Sequence, residues 1–365
     1  MTSTPDGRFP EMFQGKRILI VGGTGSLGQV LLRRLLGGTS GRPERVIIFS
    51  RDEAKQHAMR VRYHRPTSAS DDVSSSYFEG ILEFRIGDVR DLAAVESALR
   101  DVDIVFHAAA LKQVPTCEYH PFEAVMTNIG GPQNIVRAIH SLGMKVQTVV
   151  GISTDKAVKP VNVMGMTKAL HERVFACGNL LLPHTRFIIV RYGNVLASRG
   201  SVIPLFHEQI RNGGPVSVTH PGMTRFLLSL EEAVDVVLDA VAGARRGETY
   251  VPRVPSALIT DVAKALIGSR PIRTIVTGVR PGEKIHEILV SEEEMHRACE
   301  RGSHYAIAPI LPELRDPTAA ETTRLTREYS SEHELLSFDA VRELLDRRKV
   351  MVGQMDAGIE DELLR

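Results

Sequence analysis

Six short apolar runs alternate with longer amphipathic stretches in the first half of the chain, and this alternation limits the fold more than any other feature. RILIV (17–21), RVIIFS (45–50), LEFRIG (82–87), DIVFHAA (103–109), VQTVVGIS (146–153) and RFIIVRYG (186–193) read as strands buried on both faces. Between them, GQVLLRRLL and FEAVMTNIGGPQNIVRAIHSL carry helical periodicity. Strand–helix alternation at this spacing predicts an α/β fold with a doubly wound parallel sheet. After about residue 193 the alternation lapses into RYGNVLASRGSVIPLF, THPGMTRFLLS and YVPRVPSALITD, loop-rich and dotted with Pro and Gly. That pattern suits a smaller lobe over the strand ends. RPTSASDDVSSS (65–76) reads as a mobile surface loop, and SSEHELLSFDAVRELLDRRK as a capped amphipathic helix before an acidic tail.

VGGTGSLG (21–28) follows the first strand and opens the first helix, spaced Gly22-x-x-Gly25-x-x-Gly28. Gly22 makes the tight turn, Gly25 lets backbone N–H groups approach a pyrophosphate, and Gly28 allows close helix packing. Thr24, Ser26 and Leu27 belong to the same turn. The context of strand before and helix after makes this a dinucleotide site of the Rossmann type. The second strand ends Ser50-Arg51-Asp52, with Lys55 one turn on. Arg and Lys suit a 2′-phosphate, so NADP is expected, with NAD the alternative; Asp52 is either a ribose ligand or a helix cap. Asp88 and Val89 follow the third strand, beside the adenine position. Ala108, Ala109 and Ala110 follow the fourth and leave room for a cofactor or simply pack tightly. On this basis residues 1–192, joined by a helix around 227–246, form the cofactor domain. Residues 193–226 and 247–330 form the smaller lobe, and 331–365 the C-terminal helix and tail.

The stretch STDKAVKPVNVMGMTK (153–168) sets a hydroxyl, a carboxylate and an amine, Thr154-Asp155-Lys156, at the carboxyl end of the fifth strand. Met164 and Lys168 follow at i and i+4 on one helix face. A lysine here suits a nicotinamide ribose, yet the position four residues before it, where a tyrosine is expected, holds a thioether that cannot exchange a proton near neutral pH.

Composition removes other classes. Lys+Arg 45 against Asp+Glu 44 leaves a net charge of +1, so no global basic field points to nucleic acid or membrane. The three cysteines, Cys117, Cys177 and Cys299, show no metal-ligand spacing and read as free thiols in a reducing compartment; no metal is expected. The N-terminal MTSTPDGRFPEMFQGK lacks an export-signal core. The best apolar run, VDVVLDAVAGA, is broken by Asp235 and Asp239 and falls short of the roughly 18 residues of a membrane span. A cytoplasmic, soluble protein is expected.

VGGTGSLG, SRDEAKQ, GDVRD, HAAALKQVP, TNIGG, STDKAVKPVNVMGMTK, RYGNVLASRGSVIPLF, MTRFLLS and RPGEKIHE occur in the order, and at about the intervals, of one family. Over roughly residues 15–290 the chain resembles the UDP-N-acetylglucosamine 5-inverting 4,6-dehydratases. These are extended short-chain dehydrogenases/reductases that start routes to rare aminosugars of bacterial capsule, O-antigen and flagellin. Its Met-x-x-x-Lys is similar to the capsule and O-antigen branch, which works without the tyrosine. The resemblance implies NADP-dependent oxidation of the sugar at carbon 4, loss of water across carbons 5 and 6, and return of a proton to carbon 5 on the opposite face. It implies Lys156 as the base at carbon 5, Asp155 as the acid for the departing hydroxyl, and Thr154 on the carbon-4 oxygen. Those roles call for a Lys156 pKa lowered, and an Asp155 pKa raised, by burial. Lys168 through a water, or Asp155, is left to deprotonate the carbon-4 hydroxyl. The resemblance also implies that Asn194, Arg199 and Arg225 meet the sugar and diphosphate, Arg280 the phosphates, Glu283 the uridine ribose, and Lys112 the sugar. It further implies a homo-oligomer, dimer or hexamer, with helices 121–142 and 162–178 paired across a two-fold axis. Two alternatives stay open: a dehydratase or epimerase on another nucleotide sugar, and an inactive NADP-binding regulator.

Overall fold

The first apolar run forms β1 (Arg17–Val21), and its residues Ile18–Val21 are buried because a parallel neighbour lies on each side. These neighbours are β2 (Arg45–Ser50) and β4 (Ile104–His107); Ile18 stands opposite Val46 on one and Ile104 on the other. The computed structural model describes residues 11–64, 80–196, 201–315 and 325–354. β3 (Leu82–Ile86) flanks β2, β5 (Thr148–Thr154) flanks β4, and β6 (Arg186–Tyr192) flanks β5, all parallel. The order therefore runs β3-β2-β1-β4-β5-β6 and reverses direction between β1 and β4. At such a switch point a crevice opens beyond the carboxyl ends of the strands.

Beyond β6 the sheet continues with Thr249–Pro252, parallel to β6, and then the antiparallel strands His304–Ile307 and Ala298–Arg301. These three lie inside the stretch assigned from sequence to the smaller lobe. Strand–helix alternation does not encode an antiparallel edge, so their place in the main sheet was not visible there.

Two apolar layers enclose the sheet. Helices Ser26–Leu36 and Leu230–Gly243 cover one face, joining Leu31, Leu35, Val234 and Val237 to Ile18 and Ile20. Helices Gly131–Ser141 and Val163–Leu181 cover the other, with Ile135, Ile139 and Phe175 against Leu19 and Phe187. Ser229 and Glu232 form a reciprocal capping box that starts Leu230–Gly243. A separate core of Ile203, Phe206, Val216, Val262, Leu266 and Leu345 sits over the strand ends. It gathers the helices Val202–Arg211, Ile259–Ile267 and Phe338–Arg347.

The helix read as continuous from 121 to 142 is interrupted by a π turn at Met126–Gly130. There the buried Asn128 amide bonds the Leu111 backbone through both its oxygen and nitrogen, and also reaches Thr167 Oγ1. One side chain thus pins the loop after β4 to the helix Val163–Leu181, a recurrent use of such turns at functional sites. The surface-loop reading of 65–76 and the acidic tail after 354 lie outside the described residues.

Candidate functional site

Gly22 leaves β1 with φ +81°, and a Cβ on it would lie 2.6 Å from the Ala109 nitrogen. The ends of β1 and β4 thus approach too closely for any other residue. The helix Ser26–Leu36 then starts from Gly25 with no side-chain cap, so its first amides stand open at the wall of a large cleft. The cleft holds about 1150 Å³, more than a single drug-sized ligand requires.

The cleft brings together nearly all the residues singled out from sequence. Gly22, Thr24, Gly25, Ser26, Leu27 and Gly28 form one end, with Ser50, Arg51, Lys55, Asp88, Val89 and Ala108–Ala110 beside them. Lys112, Thr154, Lys156, Met164 and Lys168 line the middle, and Asn194, Arg225, Arg280 and Glu283 the far side. Arg199 lies outside the described residues. Asp155 is absent from the wall because it is fully buried behind Thr154 and Lys156.

At the cofactor end, Asp52 caps the helix Glu53–His64. Its Oδ1 accepts the Lys55 backbone N–H at 3.0 Å and its Oδ2 pairs with Lys55 Nζ at 2.7 Å. Asp88 is likewise engaged by Arg90 Nη2 at 2.7 Å, with the half-exposed Arg51 guanidinium 3.8 Å away. Burial opposes ionisation of Asp88, but its bonds from Arg90 and the nearby Arg51 outweigh that and hold its carboxyl below the ordinary range.

At the far end of β5, Thr154 Oγ1 donates to Asp155 Oδ1 at 2.8 Å, and Lys156 Nζ reaches the same oxygen at 3.0 Å. Asp155 Oδ2 is buried with no partner. Lys156 Nζ is also 3.3 Å from Glu287 Oε1 and 3.5 Å from Asn194 Oδ1. The expectation of a lowered Lys156 pKa is corrected here. Burial does oppose its charge, but Asp155 and then Glu287 outweigh burial and hold the amine above its usual value. Burial is also the first cause acting on Glu287, and although the Lys156 charge opposes it, the carboxyl stays above the ordinary range.

Gly165 makes this placement possible, since a Cβ there would lie 2.2 Å from the Lys156 carbonyl oxygen. The helix Val163–Leu181 can thus begin directly against the Asp155–Ala157 turn. Met164 is 5% exposed and packs with Cys117 and Ala124, so its side chain seals the wall where a tyrosine hydroxyl is ordinarily expected. Lys168 Nζ donates to the Ile152 carbonyl at 2.5 Å and meets His171 Nδ1 at 2.6 Å.

The substrate-side arginines divide. Arg225 lines the cleft, but its guanidinium is buried and spends its donors on the carbonyls of Thr224, Lys284 and Ile285, with Nε 3.8 Å from Glu287. It braces the loop beside Glu287 while still lining the cleft. Arg280 is more than half exposed at the cleft wall, with Glu283 3.9 Å away. Glu283 Oε2 is buried without a partner. Among the described residues, no group of acidic, His and Cys side chains is arranged to hold a metal ion.

Sequence reasoning missed Glu287, Asn128 and His171. The first had a signal, a lone acid heading the apolar ILV run in RPGEKIHEILV. The other two look ordinary within helical stretches and gain meaning only from their partners.

A family model described as "Polysaccharide biosynthesis protein" matches residues 18–309. The chain belongs to the polysaccharide biosynthesis protein family. Among curated relatives of this family member, a UDP-glucose 4-epimerase of Rickettsia bellii is 43% identical over 357 residues, covering 92% of this chain and 99% of the relative. One from Rickettsia akari is 45% identical over 303 residues, covering 81% and 84%. Among solved structures, the protein Pen from Bacillus thuringiensis superposes with a TM-score of 0.81 at 33% identity, covering 93% of this chain and 99% of that one. A dTDP-glucose 4,6-dehydratase from Streptomyces venezuelae, solved with NAD bound, shares the fold with a TM-score of 0.62 at 21% identity over 74% of this chain and 86% of that one. These neighbours share the α/β fold, with its doubly wound, parallel-dominated Rossmann-type sheet.

Proposed function

We propose that this protein is an NADP-dependent 4,6-dehydratase of UDP-N-acetylglucosamine that inverts carbon 5. The observation that carries the reading is the cluster of Lys156 and Glu287 on the cleft wall with Asp155 buried directly behind them. Exchange of hydrogen at carbon 4 alone needs one acid–base group. Elimination of water across carbons 5 and 6 needs a second base and an acid, and two carboxyls around one amine supply them.

The glycine-rich turn and the bare N-terminus of Ser26–Leu36 fit a dinucleotide pyrophosphate, and Arg51 and Lys55 fit a 2′-phosphate. When bound, the nicotinamide supplies oxidation at carbon 4 and returns hydrogen at carbon 6. The protein holds and moves the protons. Lys156 is protonated at rest because two carboxyls face it. It becomes a base by handing a proton to Glu287, 3.3 Å away, before taking one from carbon 5. Asp155 sits behind both Thr154 and Lys156, so it serves the departing hydroxyl through them. Arg280 and Glu283 at the outer wall suit the diphosphate and ribose of the nucleotide. The helices Val114–Tyr119 and Val163–Leu181 expose Tyr119, Met166, Leu170 and Leu181, which supports pairing of two copies through this face.

The name carried by the Rickettsia relatives favours a second reading, 4-epimerisation of a UDP-hexose in the same cleft. Proton NMR of purified protein with UDP-N-acetylglucosamine separates the two. Dehydration gives a 4-keto sugar with a carbon-6 methyl doublet. Epimerisation keeps the carbon-6 hydroxyl and changes only the coupling at carbon 4, and that outcome would replace the present reading.

A further inference from the structure

Lys168 lies in surroundings quite unlike those of Lys156. From β5 it meets the Ile152 carbonyl, and from its own helix His171, whose Nδ1 is 2.6 Å from Nζ. From β4, His107 stands against His171 with ring centres 5.2 Å apart at 78°. Both rings are buried, and Phe175 packs 4.7 Å from the His171 ring and 5.9 Å from the His107 ring. Neither nitrogen of His107 has a partner, and neither does His171 Nε2. The acid nearest in sequence, Glu172, is bound by Arg191 Nη2 at 2.7 Å and Nε at 3.1 Å, and by Ser153 Oγ at 2.5 Å. Glu294 supplies that arginine with a second carboxylate at 2.8 Å. The amine therefore has basic and carbonyl neighbours but no carboxylate of its own.

A buried ammonium without a counter-ion is costly, and so is a buried imidazolium beside it. Three bases packed together in an apolar shell can hold at most one proton between them at neutral pH. Burial, with Lys168 adding to it, pushes His107 down to about 3 and His171 well below its usual value. Burial, opposed by Glu172, brings Lys168 down to about 7. The proton that the cluster does hold thus belongs to the only member that reaches the cleft, Lys168.

We propose that His171, backed by His107, is a positioning residue: with the Ile152 carbonyl it accepts the two N–H bonds of a neutral Lys168 amine while supplying no counter-charge, so that Lys168 keeps its lone pair for the hydroxyl proton of the sugar where Met164 stands in place of a tyrosine. This rests on the nucleotide-sugar oxidation proposed above and holds for the dehydratase and epimerase readings alike. In the step, the hydroxyl O–H bond breaks and its proton forms a bond to the Lys168 lone pair. The oxygen's electrons close a C=O bond. The carbon's hydrogen leaves with the C–H electron pair to the oxidised nicotinamide dinucleotide, so the sugar is oxidised and the dinucleotide reduced. The proton gained by Lys168 is held at the Ile152 carbonyl and His171 Nδ1.

The test needs neither cofactor nor substrate. In full-length protein carrying 13Cε-lysine, NMR is followed from pH 5.5 to 9.5, and the Lys168 signal is assigned by its loss in Lys168→Arg. The expected result is one lysine titrating near pH 7 in the wild type. In His171→Glu, which sets a carboxylate where the neutral imidazole stood, its midpoint is expected to move up by about one pH unit. His107→Glu provides a second variant should the first fail to fold, with a smaller upward shift expected from its more distant carboxylate. A wild-type Lys168 that titrates above pH 9, or a midpoint unmoved in the folded variants, overturns the proposal. Failure of the nucleotide-sugar reading instead appears as normal Lys168 titration with no turnover of any UDP-sugar. If turnover is present, its pH–rate profile is expected to move alkaline in His171→Glu by the same amount as the titration; a purely structural role would lower the rate without moving the profile.

Discussion

Lys156, half-buried, and Lys168, buried, line the same cleft, and the presence or absence of facing carboxyls sets the charge of each. Two carboxyls hold Lys156 as an ammonium; burial with no carboxylate of its own leaves Lys168 poised to lose its proton. For Lys168 the linkage to stability has a definite sign. Its pKa is 10.5 in an unfolded chain and about 7 when folded, so between those values the unfolded state binds the extra proton. Its favourable contribution is complete above pH 10.5 and lost as pH falls through 7. Lys168→Met should therefore gain most over the wild type at and below pH 7, by on the order of 5 kcal/mol. Urea midpoints at pH 6.5 and 9 check this: the gap should narrow at the higher pH, and a constant gap would show that burial does not penalise the ammonium. Both lysines and Asp155 were legible in the sequence because a strand end followed by Met-x-x-x-Lys places them. Their protonation was not, since Glu287 and His107 come from distant strands and no local spacing ties them to the site.

At the scale of elements, the Asp155–Ala157 turn depends on a close approach of backbones. The helix Val163–Leu181 begins where only glycine fits, with Gly165 against the Lys156 carbonyl. Gly165→Ala should push the helix start away from the Asp155–Ala157 turn, cost about 2–4 kcal/mol in chemical denaturation, and weaken turnover even in the folded fraction. An unchanged midpoint would mean that the turn shifts without cost. The π turn at Met126–Gly130 has a similar role: Asn128→Ala leaves both Leu111 backbone groups without their side-chain partner. Loss of about 1–3 kcal/mol is expected, measured by the same denaturation. Five of the six parallel strands were legible as apolar runs bounded by turn residues; the sixth, LEFRI (82–86), alternates with Glu83 and Arg85 because it lies at the sheet edge and is only partly buried. The π turn and the antiparallel strands at 298–307 were not, since the first depends on a single long-range amide and the second on pairing partners far along the chain.

For the whole molecule, a chain of net charge +1 must meet an anionic ligand with placed cations, and the cleft gathers Arg51, Lys55, Lys112 and Arg280 along its wall. Elsewhere the surface bears one apolar face that a single copy leaves in water, with Phe122 77% and Leu170 52% exposed. Phe122→Glu with Leu170→Glu should convert a dimer to a monomer in sedimentation velocity; a wild type that already sediments as a monomer would reject the pairing. Among the described residues no helix is long and apolar enough to cross a membrane. The central claim is that the amine at the end of β5 moves a proton at carbon 5 of a nucleotide sugar. The direct measurement is solvent deuterium uptake from UDP-N-acetylglucosamine and NADP in heavy water, in the wild type and in Lys156→Met. Deuterium at carbon 5 of the wild-type product, slowed about 10²–10⁴-fold in the variant, is the expected result. Deuterium entering carbon 5 at an undiminished rate without Lys156, or a product with no deuterium there, would contradict the account.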